Sequence, residues 1–167
     1  VAEGRIEALV VDGKSVQEAS GNDQIQVVVN QTPFYGESGG QVGDAGVMFT
    51  PDGVEVTVGD TLKKLGNMHV HGGALKSGAL KVGDVVEMRV DSERRNRIRA
   101  NHSVTHLLHE ALRRRLGDHV TQKGSLVSAE RLRFDISHPK PLSPEETADV
   151  EAEVNARIRE NSTVGTV

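Results

Sequence analysis

From Arg5 to Val90 the apolar positions come in short alternating runs: Ile6 to Val11, Ile25 to Val29, Val54 to Val58, Asn67 to His71 and Val85 to Val90. A period of two, rich in β-branched residues, predicts strands with one buried face. Asp12-Gly13, Asp52-Gly53, Gly59-Asp60, Gly72-Gly73 and Gly83-Asp84 read as turns between them, because glycine accepts positive φ. The sum is a small β-barrel or a strongly bent sheet.

At Asp91-Ser92-Glu93 the period changes to that of a helix. Asp91 or Ser92 can cap it and Gly117 can end it, so one helix is predicted from about Ser92 to Leu116. Ile98, Thr105, Leu108, Leu112 and Leu116 fall on its buried arc, with His102 and His106 together at one edge. Val120 to Val127 and Arg131 to Ile136 read as a strand pair lying against that helix. Ser143-Pro144-Glu145-Glu146 then combines a capping box with proline at the first helical position, and Val150, Val154 and Ile158 continue at helical spacing. The predicted class is therefore α+β. A β-barrel-like subdomain spans residues 1–90, and an α/β core with a long histidine-bearing helix on an antiparallel sheet spans 91–167. The break falls near Val90 to Ser92.

Composition changes this picture in three ways. The 167 residues suffice for one ordinary domain or two small ones with a real core. There is no cysteine, which excludes disulfides and any thiolate metal site built from this chain alone. The overall charge of −4 hides a local asymmetry: residues 1–90 carry −5, residues 91–135 carry +4, and residues 136–167 carry −3. The basic middle segment is either a solvated face or a phosphate-contacting one. No apolar run approaches the roughly 20 residues of a membrane span, and Val1-Ala2-Glu3-Gly4-Arg5 is not a secretory leader, so a cytoplasmic setting is expected. Without an initiator methionine, the chain reads as a piece of a longer polypeptide.

Three segments could carry chemistry. Asn101-His102-Ser103-Val104-Thr105-His106 places two imidazoles one helical turn apart, either as two ligands of a metal such as zinc or as two ordinary surface histidines. It lacks the glutamate of a His-Glu-x-x-His metalloprotease motif. Thr32 to Gly46 packs five glycines between Gly36 and Gly46, beside the only tyrosine. That is either a close-approach surface for a ligand or a tightly bent strand; no Gly-Lys-Ser/Thr follows, so it is not a phosphate loop. Thr121-Gln122-Lys123-Gly124-Ser125 puts polar groups on a strand, where they could hold a substrate hydroxyl or a water, or simply face solvent. His69, His71, His109, His119 and His138 have no spacing that raises them above surface or turn histidines, although His69 and His71 share a strand face.

Three runs, PFYGESGGQVGDAG, NHSVTHLLHEALRRRLGDHVTQKGSLV and LRFDISHPKPLSPEE, occur here in one order. Together they closely resemble the editing domain of bacterial alanyl-tRNA synthetases and its free-standing relatives, over nearly the whole chain. The resemblance implies a hydrolytic site that removes serine or glycine wrongly attached to alanine tRNA. It implies zinc held by His102 and His106 together with a cysteine and a histidine of a later Cys-x-x-x-His motif that these residues do not contain. Gln122 matches an active-site glutamine, and Gly39 and Gly40 are expected to line the same pocket. Arg113, Arg114 and Arg115 become candidate tRNA contacts. ATP and magnesium belong to a ligation domain elsewhere in such an enzyme, and the fragment alone would lack half its metal shell. Two other readings stay open. One is a non-catalytic RNA-binding module using Arg94, Arg95, Arg97, Arg99 and Arg113 to Arg115. The other is a stand-alone metal hydrolase completed by His69 or His71, or a free-standing deacylase acting on the tRNA.

Overall fold

The computed structural model describes residues 2–21 and 23–163. They form two compact units, Val1–Asn96 and Arg97–Val167. In chain order the first contains β1 (Ala2–Val11), β2 (Lys14–Val16), β3 (Glu18–Ser20), β4 (Gln24–Val29), β5 (Gly46–Phe49), β6 (Glu55–Lys64), β7 (Met68–Leu75), β8 (Ala79–Lys81) and β9 (Val85–Val90). Helix α1 (Ser92–Leu116) follows, then β10 (Gln122–Val127), β11 (Leu132–Ile136) and α2 (Pro144–Glu160).

In the first unit the sheet order β2-β1-β4-β7-β6-β5-β9 closes on itself, because β1 also pairs with β9. The result is a six-stranded antiparallel barrel with β2 as an extra strand, so no long edge is left unpaired. Closure depends on the length of β1. Its first half, Ala2 to Arg5, pairs with β9, and its second half pairs with β4 and β2 across a register shift between Ile6 and Ala8. Bulges of this kind bend a strand enough to turn a barrel corner. Alternation sends Ile25, Val27 and Val29 inward from β4, where they join Ile6, Leu9, Met48, Val56, Val58, Leu75, Val86 and Met88 in one core. Each such side chain contributes about 1.5–3 kcal/mol on burial.

Two of the expected turns are not turns. Gly72-Gly73 lies inside β7 and Gly59-Asp60 inside β6. Gly73 serves close approach, since a Cβ there would overlap the Thr57 carbonyl across the ladder, while Gly59 sits where the β6–β7 register shifts between Val58 and Asp60. At Asp12-Gly13 the reading holds. Both residues have positive φ, 50° and 75°, and they link β1 to β2 as a two-residue hairpin turn of the mirror-image kind that matches strand twist.

In the second unit, Ala111, Leu112 and Val120 pack with Val150 and Val154 of α2, and Phe134 and Ile136 of β11 close the cluster. The long helix thus packs with the β10–β11 hairpin and α2 as an α/β layer. The buried arc is shifted from the expected one: Ala111 is buried, Leu108 and Leu116 only partly, and Ile158 is largely exposed near the end of α2. Gly117 ends α1 at φ 113°, and the Ser143–Glu146 capping box starts α2. The Ser143 N–H, 2.8 Å from Glu146 Oε2, holds that carboxyl below its ordinary range.

Candidate functional site

Helix α1 presents His102 and His106 four residues apart, both exposed. Their ring centroids are 5.1 Å apart and their planes 20° from parallel. Arg99 and Ser103 lie on the same stripe, and the four side chains line a cavity of about 310 Å³. The stripe is held from behind. Asn101 Nδ2 donates to the Ser128 carbonyl at 2.8 Å, in the turn joining β10 to β11, and Thr105 donates to the Asn101 carbonyl at 2.9 Å. Imidazole donors stacked one helical turn apart suit zinc as two of its usual four ligands. Among the described residues no group of three or more His, Cys, Asp or Glu side chains gathers to hold a metal. The donor set therefore fits half of a zinc shell.

Gln122 opens β10, exposed, opposite Ile136, and the ladder shifts register between Gln122 and Gly124. A bulge here re-aims the side chains beside it. Just before it, the chain is clasped. Thr121 N–H donates to Ser137 Oγ at 3.1 Å, the Thr121 and Ser137 hydroxyls bond at 2.7 Å, and Ser137 N–H donates to the Thr121 carbonyl at 3.0 Å. One residue further out, His119 Nε2 and His138 Nδ1 share a hydrogen bond of 2.9 Å between stacked rings. Sequence spacing missed this pair, because the two histidines are 19 positions apart and meet only through the hairpin register. The Nε2 atoms of His109 and His138 are buried without a hydrogen-bond partner.

Gly39 and Gly40, expected to line a pocket, form the tip of a tight hairpin in the first unit. Ser38 and Gln41 exchange backbone hydrogen bonds of 3.2 and 3.0 Å, and the two glycines have φ of 61° and 86°. Only open space lies around a Cβ built at Gly39, so this tip is free on its outer side. Its base is fixed by Asp44, 2% exposed. The Asp44 carboxylate accepts the Tyr35 N–H at 2.6 Å and both sides of the Arg95 guanidinium, while Arg95 also donates to the Pro33 carbonyl at 2.7 Å. Arg94 donates to the Gly43 carbonyl at 2.7 Å.

The arginines near the end of α1 are also paired. Arg113 meets Asp118 at 3.0 Å, Arg114 meets Glu110 at 2.8 Å and Glu153 at 3.4 Å, and Arg115 meets Asp149. The hydrogen bond that Arg114 donates to Glu110 raises its guanidinium above its ordinary value. Three of these pairs bind α1 to itself or to α2.

His71 is not the surface or turn histidine that its spacing suggested. It is fully buried, with Nδ1 2.9 Å from the Val27 carbonyl and Nε2 2.8 Å from the Thr32 hydroxyl, and its ring meets Phe34 edge-on at 5.3 Å. Burial pushes its pKa below 6.5 despite the Val27 carbonyl, so the ring is neutral, with Nδ1–H donating and Nε2 accepting. Both nitrogens are thereby engaged. The parity of β7 carries the signal that spacing lacked, since His71 shares the inward face with Leu75. His69 Nδ1 lies 3.0 Å from the Asn67 carbonyl. A cavity of about 520 Å³ in the first unit is bordered by Asp12 and Asp60, with no Lys, Arg or His in its lining, which does not suit phosphate.

The family model for tRNA synthetases class II (A) matches residues 1–94, more than half of the chain, and the chain belongs to that family. Its relatives are alanine–tRNA ligases. That of Parvibaculum lavamentivorans is 60% identical over 166 residues, covering 99% of this chain and 19% of the ligase. That of Sphingopyxis alaskensis is 61% identical over 164 residues, and that of Mesorhizobium japonicum 57% over 165, covering 98% and 99% of this chain and 19% and 18% of the ligases. The chain thus spans about a fifth of the length of the curated relatives it matches. Among the described residues no helix is long and apolar enough to cross a membrane.

Proposed function

We propose that these residues form the editing region of a cytoplasmic alanine–tRNA ligase and hydrolyse serine or glycine mischarged onto alanine tRNA. The observation that carries this reading is the exposed, stacked His102–His106 pair opening on a small cavity with Arg99 and Ser103. The kinship to alanine–tRNA ligases supports the choice of RNA. Ligation, with ATP and magnesium, belongs to the remainder of the full-length enzyme. A second, hydrolytic sieve is needed because a pocket shaped for a methyl group separates glycine or serine from alanine by only ~1–3 kcal/mol.

In this reading His102 and His106 hold zinc as two of its ligands; when bound, it supplies Lewis acidity toward the substrate's amino or hydroxyl group or toward a water. The chain's own residues do the positioning. Gln122, held beside the bulge by the Thr121–Ser137 clasp, offers an amide donor and acceptor to the aminoacyl group. Water adds to the ester carbonyl, the bond to the ribose oxygen breaks, and the free amino acid and the tRNA 3′ end leave.

The test is a deacylation assay on serine-charged alanine tRNA, run beside alanine charging, in the full-length enzyme. His102→Ala or His106→Ala is expected to abolish serine release and lower bound zinc while sparing charging, and Gln122→Ala to reduce release more mildly. Unimpaired release by both histidine variants would sink the assignment. Equal loss of charging would place the effect in folding.

A further inference from the structure

Ion pairing divides the arginines of the basic segment into two kinds. Arg94 and Arg95 are engaged by the Gly43 carbonyl and by Asp44, and Arg113, Arg114 and Arg115 by Asp118, Glu110, Glu153 and Asp149. Arg99 differs. Its neighbours one turn away on α1 are Arg95, Asn96, His102 and Ser103, so its own helix offers it no carboxylate. Among the described residues it has no hydrogen bond or ion pair, and it is exposed. Its side chain nevertheless lines the same 310 Å³ cavity as the histidine pair.

We infer that Arg99 is the phosphate anchor of this site, gripping a phosphodiester of the unpaired RNA 3′ end while His102 and His106 face the aminoacyl ester; the inference rests on the hydrolytic reading above. The cavity wall combines a guanidinium, a hydroxyl and two imidazoles with no carboxylate, a lining suited to an anion. Its volume is at the low end of ligand clefts, about 300–1,000 Å³, enough for the end of one strand and too small for a duplex. A guanidinium offers parallel N–H donors that match two phosphate oxygens, and an unpaired one need break no existing bond to do so. The paired arginines already have part of their charge offset by a neighbouring carboxylate.

The experiment uses the full-length enzyme with Arg99→Ala and Arg99→Lys. Two readouts apply: the salt dependence of KM and kcat for release of serine from charged tRNA, and photo-crosslinking of a reactive 3′-terminal nucleotide on uncharged tRNA to α1. Arg99→Ala is expected to raise KM roughly tenfold, as for loss of a charge-assisted hydrogen bond. It should leave kcat and bound zinc near wild type, lower the logarithmic salt slope by about 0.7, and abolish the crosslink. Arg99→Lys should restore the slope, since the charge returns, but only part of KM, since the fork does not. Unchanged KM, slope and crosslink would overturn the assignment, as would lost zinc or a fall in kcat alone, which would make Arg99 a support for the histidines. If the wild-type enzyme released no serine, the hydrolytic reading would fail by itself, and the crosslink would still decide whether Arg99 holds the RNA end. Arg99 is exposed, so melting curves of both variants should match wild type.

Discussion

The two units differ in how completely their buried polar side chains are engaged. In the barrel, buried polar groups are satisfied from within. Asp44 takes the Tyr35 amide and Arg95, Thr61 donates to the Asp44 carbonyl at 2.9 Å, and His71 uses both ring nitrogens. In the helix–hairpin unit, His102 and His106 stand exposed side by side, and two buried imidazole nitrogens have no hydrogen-bond partner. Buried polar groups are normally paired, and exceptions concentrate where a protein binds or reacts. Among the described residues the barrel leaves no buried side-chain polar atom without a partner, whereas the second unit leaves two, both on histidines.

The largest expected effect breaks the barrel side. Asp44→Ala removes the acceptor that organises Pro33 to Asp44 and strands the half-buried Arg95 guanidinium. A loss of about 3 kcal/mol in unfolding free energy is expected from a broken, largely buried pair, read by denaturant titration. Gly43→Ala should cost about 1–3 kcal/mol, because its Cβ would overlap the Thr61 carbonyl. Ser103→Ala on the exposed stripe should leave stability unchanged. If Asp44→Ala were as mild as Ser103→Ala, the claim that the barrel's polar groups are structural would fail.

A smaller effect sharpens the contrast through pH. The folded His71 titrates below 6.5, whereas an unfolded histidine titrates near that value. As pH falls through 6.5 the unfolded chain takes up a proton that the folded chain refuses, so stability is lost on acidification until the folded pKa is reached. The slope contributed is at most about 1.4 kcal/mol per pH unit. Unfolding titrations from pH 7.5 to 5.5 should show this loss, and it should shrink in His71→Gln. An acid loss of the same size in the variant would trace it to other groups.

How far this could be read from sequence follows the same division. The long helix, its glycine stop and the α2 capping box were legible because each is written in contiguous residues. The α+β class and the barrel were legible because β4 and β9 alternate cleanly. The short strands β2, β3, β5 and β8 were not, since three or four residues carry too little period, and the glycines of β6 and β7 imitated turns while serving a register shift and a close approach. At the candidate site, the His102–His106 pair was visible as local spacing. The His119–His138 contact and the burial of His71 depend on hairpin register and barrel closure. The pairing of Arg113 to Arg115 with Asp118, Asp149 and Glu153 depends on how the helix turns and packs, which no single-helix pattern contains.

The smallest expected effect concerns those three arginines. Sequence alone made Arg113, Arg114 and Arg115 candidate tRNA contacts, and each already has part of its charge offset by Asp118, Glu110, Glu153 or Asp149. A carboxylate beside the guanidinium repels an incoming phosphate, so the net gain per contact is small. Exposed ion pairs are also weak and screened by salt. The triple Arg113, Arg114, Arg115→Ala variant of the full-length enzyme should therefore lower the logarithmic salt slope of alanine-tRNA binding by less than the roughly 0.7–0.9 expected for one phosphate contact, despite removing three charges. Arg99→Ala, removing one, should change it more. Binding isotherms at several salt concentrations decide the order. A slope falling by about two or more in the triple variant would mean that the RNA recruits these arginines from their carboxylates. The surface used for tRNA would then extend along α1 toward α2 and not end at the histidine stripe.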